Sequence, residues 1–204
     1  MRAAIFATVL VVTCTGVGAS AARANPGADA VAFGRCVVST DRERALQLFS
    51  TLPPSDAAID LSSHAACAAR STTTASAMAV RGGIAEALYK RDFGEALLEP
   101  RRAPDLLAQL NLLEGPADAV ERFRLGLCVA RSAPDAVDRL LAMPPGSTRE
   151  RNAIGRLAPE FAPCQPYGMT IALKRGNIRA LLAQSAYVVH TRYWQMPDSA
   201  PRAN

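Results

Sequence analysis

Apolar residues recur along this chain at helical spacing. Ile84, Ala87 and Leu88 stand at i, i+3 and i+4, and Ile154, Leu157 and Phe161 at i, i+3 and i+7. No alternation of apolar and polar residues is long enough to predict a strand. Helix stops and caps divide the chain further. A first helix is expected over 29–38, carrying Val31, Phe33 and Cys36. A second follows Thr40 and ends near Thr51, with Ala45, Leu48, Phe49 and Leu52 turned inward. Pro53-Pro54 stop it, and Ser55 is placed to cap a third helix reaching about Arg70. After a polar turn over 71–76, a fourth helix is expected over 78–93, with Glu86 and Lys90 as a surface i, i+4 pair. Four more are expected over 117–131, 134–143, 148–158 and 170–189. The reading is an all-α chain.

The second set of helices repeats the first. Gly34-Arg35-Cys36-Val37 falls on Gly126-Leu127-Cys128-Val129, and the register holds without gaps to Ser55 over Ser147. Thr40-x-x-Glu43 falls on Ser132-x-x-Asp135, a hydroxyl followed three residues later by an acid, which is the capping-box pattern or a close relative of it. Further on, Arg81-Gly82-x-Ile84-x-x-x-Leu88 matches Arg175-Gly176-x-Ile178-x-x-x-Leu182, and Cys67 matches Cys164. We read an internal duplication: two similar units of about four helices, packed as one helical array. The first unit spans 25–94, the second 116–194, with a connecting segment over 95–115 and a tail over 195–204 expected to be disordered.

The start of the chain is separate from this pattern. Met1-Arg2, an apolar run from Ala3 to Ala19, and Ala22-Arg23-Ala24 form a secretory signal, with cleavage expected between Ala24 and Asn25. An uncleaved anchor is the bland alternative, but the run is short and holds Gly16 and Gly18. A lipidated Cys14 fits poorly, because it lies inside the apolar run. No later segment is long and apolar enough to be expected to span a membrane.

Export changes the meaning of the cysteines. Cys14 leaves with the signal, and Cys36, Cys67, Cys128 and Cys164 remain. An even number in an exported chain is a disulfide framework. Each repeat unit holds one early and one late cysteine, which predicts Cys36–Cys67 and Cys128–Cys164.

Composition agrees with helix. The chain of 204 residues holds 40 alanines, and alanine is the strongest helix former. Arginine outnumbers lysine 21 to 2, but the arginines are scattered and Arg101-Arg102 is the one adjacent pair. That excludes a nucleic-acid stripe.

The search for chemistry is nearly empty. There is no nucleophile elbow, phosphate-binding glycine loop, dinucleotide fingerprint or His-Glu-x-x-His. No cofactor or metal is expected, and no catalytic residue stands out. His64, three residues before Cys67, would make a metal pair or an activated thiol only if Cys67 were free. Glu86, Glu95, Glu99 and Glu114 are carboxylates that a helical glycan-cleaving enzyme would need, with nothing else to mark them. Tyr187, His190 and Trp194 fall at i, i+3 and i+7, with Tyr193 beside them. That aromatic face is either a possible binding surface, stacking on a sugar or a partner, or the cap of a bundle core.

Gly34 to Val37, Pro54-Ser55, Cys67 and Arg81 to Leu88, with their counterparts, form a pattern that resembles exported alphaproteobacterial proteins of uncharacterised function. The resemblance implies export and helicity and carries over no catalytic residue. Two classes of function remain. One is a non-catalytic periplasmic or secreted module that binds an envelope protein or glycan. The other is a helical cell-envelope enzyme acting on glycans, which a cleft lined by carboxylates would favour.

Overall fold

The computed structural model describes residues 25–50, 64–68, 76–94, 116–165, 171 and 173–194; for 48–50 and 192–194 it describes the backbone alone. The expected signal (1–24), connecting segment (95–115), tail (195–204), most of the expected third helix and the inward side chains of Leu48, Phe49 and Leu52 lie outside the described residues.

Among the described residues every regular element is a helix. In chain order they are α1 (Pro26–Thr40), α2 (Arg42–Ser50), α3 (Ala65–Ala68), α4 (Ala77–Phe93), α5 (Ala117–Ser132), α6 (Pro134–Ala142), α7 (Thr148–Phe161), a 3-10 turn (Ala162–Cys164) and α8 (Arg175–Trp194). Asn25 caps α1, its Oδ1 accepting from Ala28 N at 3.3 Å. Ser76 caps α4 and Ser147 caps α7 in the same way, at 3.3 and 3.1 Å.

The two expected capping boxes do not form. Asp41, and not Thr40, caps α2: its Oδ1 accepts from Arg44 N at 2.9 Å. Ser132 turns its hydroxyl back to Val129 O, and α6 begins behind Ala133 with no side-chain cap. Pro134 opens that helix, where its missing N–H would have been unbonded anyway. The last helix starts at Arg175, later than residue 170.

Four long helices form a row, α1 against α4, α4 against α8 and α8 against α5. The shorter α2 flanks α1 and α4, while α6 and α7 flank α8. One core runs through both halves: Phe33, Val37, Ile84 and Leu88 belong to the same buried cluster as Val129, Leu140, Leu157 and Leu182. The central helices are buried on all sides over their middle turns, Val80 to Tyr89 in α4 and Arg179 to Tyr187 in α8.

Small residues let these helices approach closely. A Cβ on Gly34 would overlap the Gly83 carbonyl of α4, and one on Gly82 would overlap Ala180 of α8. Glycine is therefore required by the neighbouring backbone at both crossings.

Two disulfides staple the fold. Cys36 joins Cys67 with Cα atoms 5.7 Å apart, and Cys128 joins Cys164 with Cα atoms 5.6 Å apart. Such bridges belong to an oxidising, extracytoplasmic environment. No helix among the described residues is long and apolar enough to cross a membrane.

Candidate functional site

Three polar groups are buried along the central helices, and each has different chemistry. The first is centred on Arg179 of α8. Its Nε and Nη2 donate to the two oxygens of Glu86 at 2.8 and 2.7 Å. Nη1 donates to Glu150 Oε1 at 3.1 Å and to Leu140 O at 3.1 Å, and Nη2 also to Leu141 O at 2.9 Å. All the donors of a guanidinium are thereby engaged. Burial alone would lower the Arg179 pKa; the Glu86 and Glu150 contacts outweigh it and hold the pKa above the ordinary arginine value.

Glu86 is 1% exposed and also accepts from Lys90 Nζ at 2.6 Å. The pair expected on the surface is thus exposed at Lys90 only, because Glu86 faces α8. Glu150 sits in the first turn of α7 and accepts from Gly146 N, where Gly146 takes a left-handed φ of 76°. The α6 carbonyls that Arg179 takes lie in that helix's last turn, where acceptors lack intrahelical partners. This cluster joins four elements, and each oxygen of both carboxylates accepts at least one hydrogen bond. The other candidate glutamates, Glu95, Glu99 and Glu114, lie outside the described residues.

The second group is aromatic. The Tyr89 hydroxyl donates to Asp138 Oδ1 at 2.5 Å and lies 3.3 Å from His190 Nε2. The His190 ring packs edge-on against Tyr89 at 4.8 Å and lies 5.5 Å from Phe93. Its Nδ1 donates to Ala186 O at 2.8 Å. Burial, then the Asp138 hydrogen bond, push the Tyr89 hydroxyl well above the usual tyrosine range, and burial pushes His190 down. Tyr187 donates to Asp92 Oδ2 at 3.3 Å, beside the Arg42–Asp92 ion pair at 2.7 Å. The aromatic face considered as a binding surface is therefore internal at Tyr187 and His190, which α8 turns towards α4. The side chains of Tyr193 and Trp194 lie outside the described residues.

His64 is buried edge-on against Phe33, with ring centroids 6.4 Å apart. The Cys67 beside it is bridged and is no thiol. No cluster of three metal-ligating side chains occurs among the described residues.

The third group escaped the sequence reading. A cleft between α4, α5 and α8 is lined by Met78, Arg81, Ala119, Arg122, Phe123, Leu181 and Gln184. Its cavity volume is about 40 Å³, and it opens to solvent on one side. Arg81 is only 8% exposed, and its Nε and Nη1 have no hydrogen-bond partner. Burial lowers its pKa below the ordinary arginine value. Arg122, at the rim, pairs with the exposed Asp118 at 2.7 Å. The one available signal was Arg81 itself, inside a helical stretch with no polar face to hold it. Its counterpart in the repeat pattern, Arg175, is exposed.

No protein-family model, curated protein or solved structure matches the chain.

Proposed function

We propose that this protein is an exported, non-catalytic helical module that binds another component of the cell envelope. The observation that carries this reading is the chemistry of the Arg81 cleft. Its lining offers cations, one amide and apolar side chains, with no nucleophile and no acid–base pair. Such a lining holds a ligand and has nothing to transform it with. The two disulfides support an extracytoplasmic location. Export would follow from a signal over 1–24, leaving Asn25 as the first residue and the cap of α1.

The arrangement of helices supports an origin by duplication. In each half, a long helix bearing a glycine and an early cysteine is followed by a one-residue break, Asp41 or Ala133, and a nine-residue helix. Gly34 of α1 sets the approach to α4, and Gly126 of α5 lies against Leu181 and Ser185 of α8. The row α1–α4–α8–α5 thus reads as two similar pairs meeting at α4 and α8.

The test uses the oxidised protein immobilised against envelope extract, beside the reduced and unfolded chain. The oxidised form alone is expected to retain an envelope component, with no saccharide released from purified envelope glycan. Release of soluble saccharide would overturn the reading in favour of a glycan-cleaving enzyme.

A further inference from the structure

We propose that the cleft between α4, α5 and α8 binds a small monocarboxylate with an apolar body, and that Arg81 holds its carboxylate. The proposal rests on the reading of the protein as a binding module and supplies the ligand class.

A buried cation is normally paired, because removal from water costs several kcal/mol that a counter-charge must offset. The chain satisfies this rule at Arg179, whose guanidinium is fully engaged by two carboxylates and two carbonyls. At Arg81 it does not. Arg81 is more than nine-tenths buried, lines the cleft, and makes no hydrogen bond or ion pair with the described residues. The anion that would complete it must come from outside the described fold.

The lining narrows what that anion is. Arg122 already has Asp118, so the cleft presents one uncompensated charge. A singly charged ligand matches it, and a planar carboxylate fits the flat guanidinium. A phosphate dianion would need more donors than one guanidinium and the Gln184 amide supply, and the Gln184 Nε2 is engaged with Ala180 O at 3.1 Å. The rest of the lining, Met78, Phe123 and Leu181, is apolar and suits a short hydrocarbon or aryl body.

The experiment titrates hexanoate, its neutral analogue hexanamide, and inorganic phosphate into the oxidised, isotope-labelled protein. Amide chemical shifts are the readout. Hexanoate is expected to give saturable shifts centred on 78–81, 119–123 and 181–184. Hexanamide and phosphate should bind at least about tenfold more weakly, since each lacks one half of the match. R81Q should weaken hexanoate by at least about tenfold, and R81K by less. R81M checks the fold independently. Loss of an unpaired buried cation should leave the melting midpoint at or above that of the parent. The absence of saturable shifts, shifts centred elsewhere, or phosphate binding as well as hexanoate would overturn the proposal. So would a fall in midpoint for R81M as large as that for R179M, which would mark Arg81 as structural. Hexanoate failing while envelope capture succeeds would sink this inference and leave the binding module standing. The opposite pattern would sink the envelope reading and keep the site.

Discussion

Arg179 of α8 grips Glu86 of α4 with two near-parallel hydrogen bonds, 2.8 and 2.7 Å long, across the crossing of the two most buried helices. The same guanidinium takes Glu150 and two carbonyls of α6, so a single side chain fixes four elements relative to one another.

Removing one partner of this cluster leaves the other charge buried without compensation. Glu86→Gln and Arg179→Met should each destabilise the fold by about 3–5 kcal/mol, read as a shift in the urea midpoint at constant slope. Replacing Glu86, Glu150 and Arg179 together by apolar residues of similar volume should recover most of that loss, because no orphaned charge remains. A triple variant as unstable as the single ones would show that the cluster's worth lies in its hydrogen bonds to α6 and not in charge compensation.

The disulfides close loops of sequence separation 31 and 36. In the chain-entropy account each contributes about 3–4 kcal/mol by restricting the unfolded chain. Replacing Cys36 and Cys67 together by Ala should lower stability by that amount. It should also raise hydrogen exchange in α1 more than in α5, since the bridge anchors α1 to the short α3. Non-reducing peptide mapping checks the pairing, and any Cys36–Cys128 peptide would contradict it.

What was legible in the sequence followed from local chemistry. Ser147, matched to the expected cap Ser55, caps α7 because a hydroxyl three residues ahead of a free backbone N–H is a contact within one turn. The cysteine partners, Cys36 with Cys67 and Cys128 with Cys164, are those expected from reading one early and one late sulfur into each proposed unit. Glu86 was misread because its nearest sequence partner, Lys90, does bond to it, while the partner that buries it stands 93 residues away. The burial of Arg81 was not legible for a similar reason: the matched Arg175 carries the same motif at an exposed position, so the motif does not encode burial. Tyr187 and His190 read as the cap of a core more readily than as a binding surface, and the choice depended on whether α4 would cover α8. Long-range helix pairing decided each of these, and no single stretch of sequence contains it.

The glycine crossings offer a sharper test of that pairing. Gly82→Ala places a methyl group where Ala180 of α8 already stands, and Gly34→Ala places one on the Gly83 carbonyl. Backbone must move in both cases, and overpacking of a tight core costs about 1–3 kcal/mol or more. By contrast Gly155, on the exposed side of α7, meets nothing within 4 Å. Gly155→Ala should stabilise the helix by about 0.5–1 kcal/mol through propensity alone. Thermal denaturation of the three variants should order them Gly155→Ala above the parent and the other two below it. Equal midpoints for all three would contradict the close approach of α1, α4 and α8.

His190 makes stability depend on pH in a defined direction. Burial against Tyr89 and Phe93 holds its pKa below the ordinary 6.5, and the Ala186 carbonyl and the Asp138 charge only partly offset this. Because Nδ1 must donate to Ala186 O, the neutral ring presents a bare Nε2 towards the Tyr89 hydroxyl, which gives its proton to Asp138. The folded ring therefore resists a proton that the unfolded chain accepts. Where the unfolded state binds more protons, stability rises with pH. The contribution of His190 is thus complete above about pH 6.5. It is lost as pH falls below that value, by at most about 1.4 kcal/mol per pH unit, until the folded pKa is reached. Carboxylates add their own dependence at lower pH, so the measurement is a difference. The unfolding free energy of the parent and of His190→Gln should be compared from pH 7.5 down to about 5, the range in which an ordinary histidine titrates. The parent should lose stability relative to the variant over that interval, and parallel curves would show that His190 takes up a proton as readily folded as unfolded.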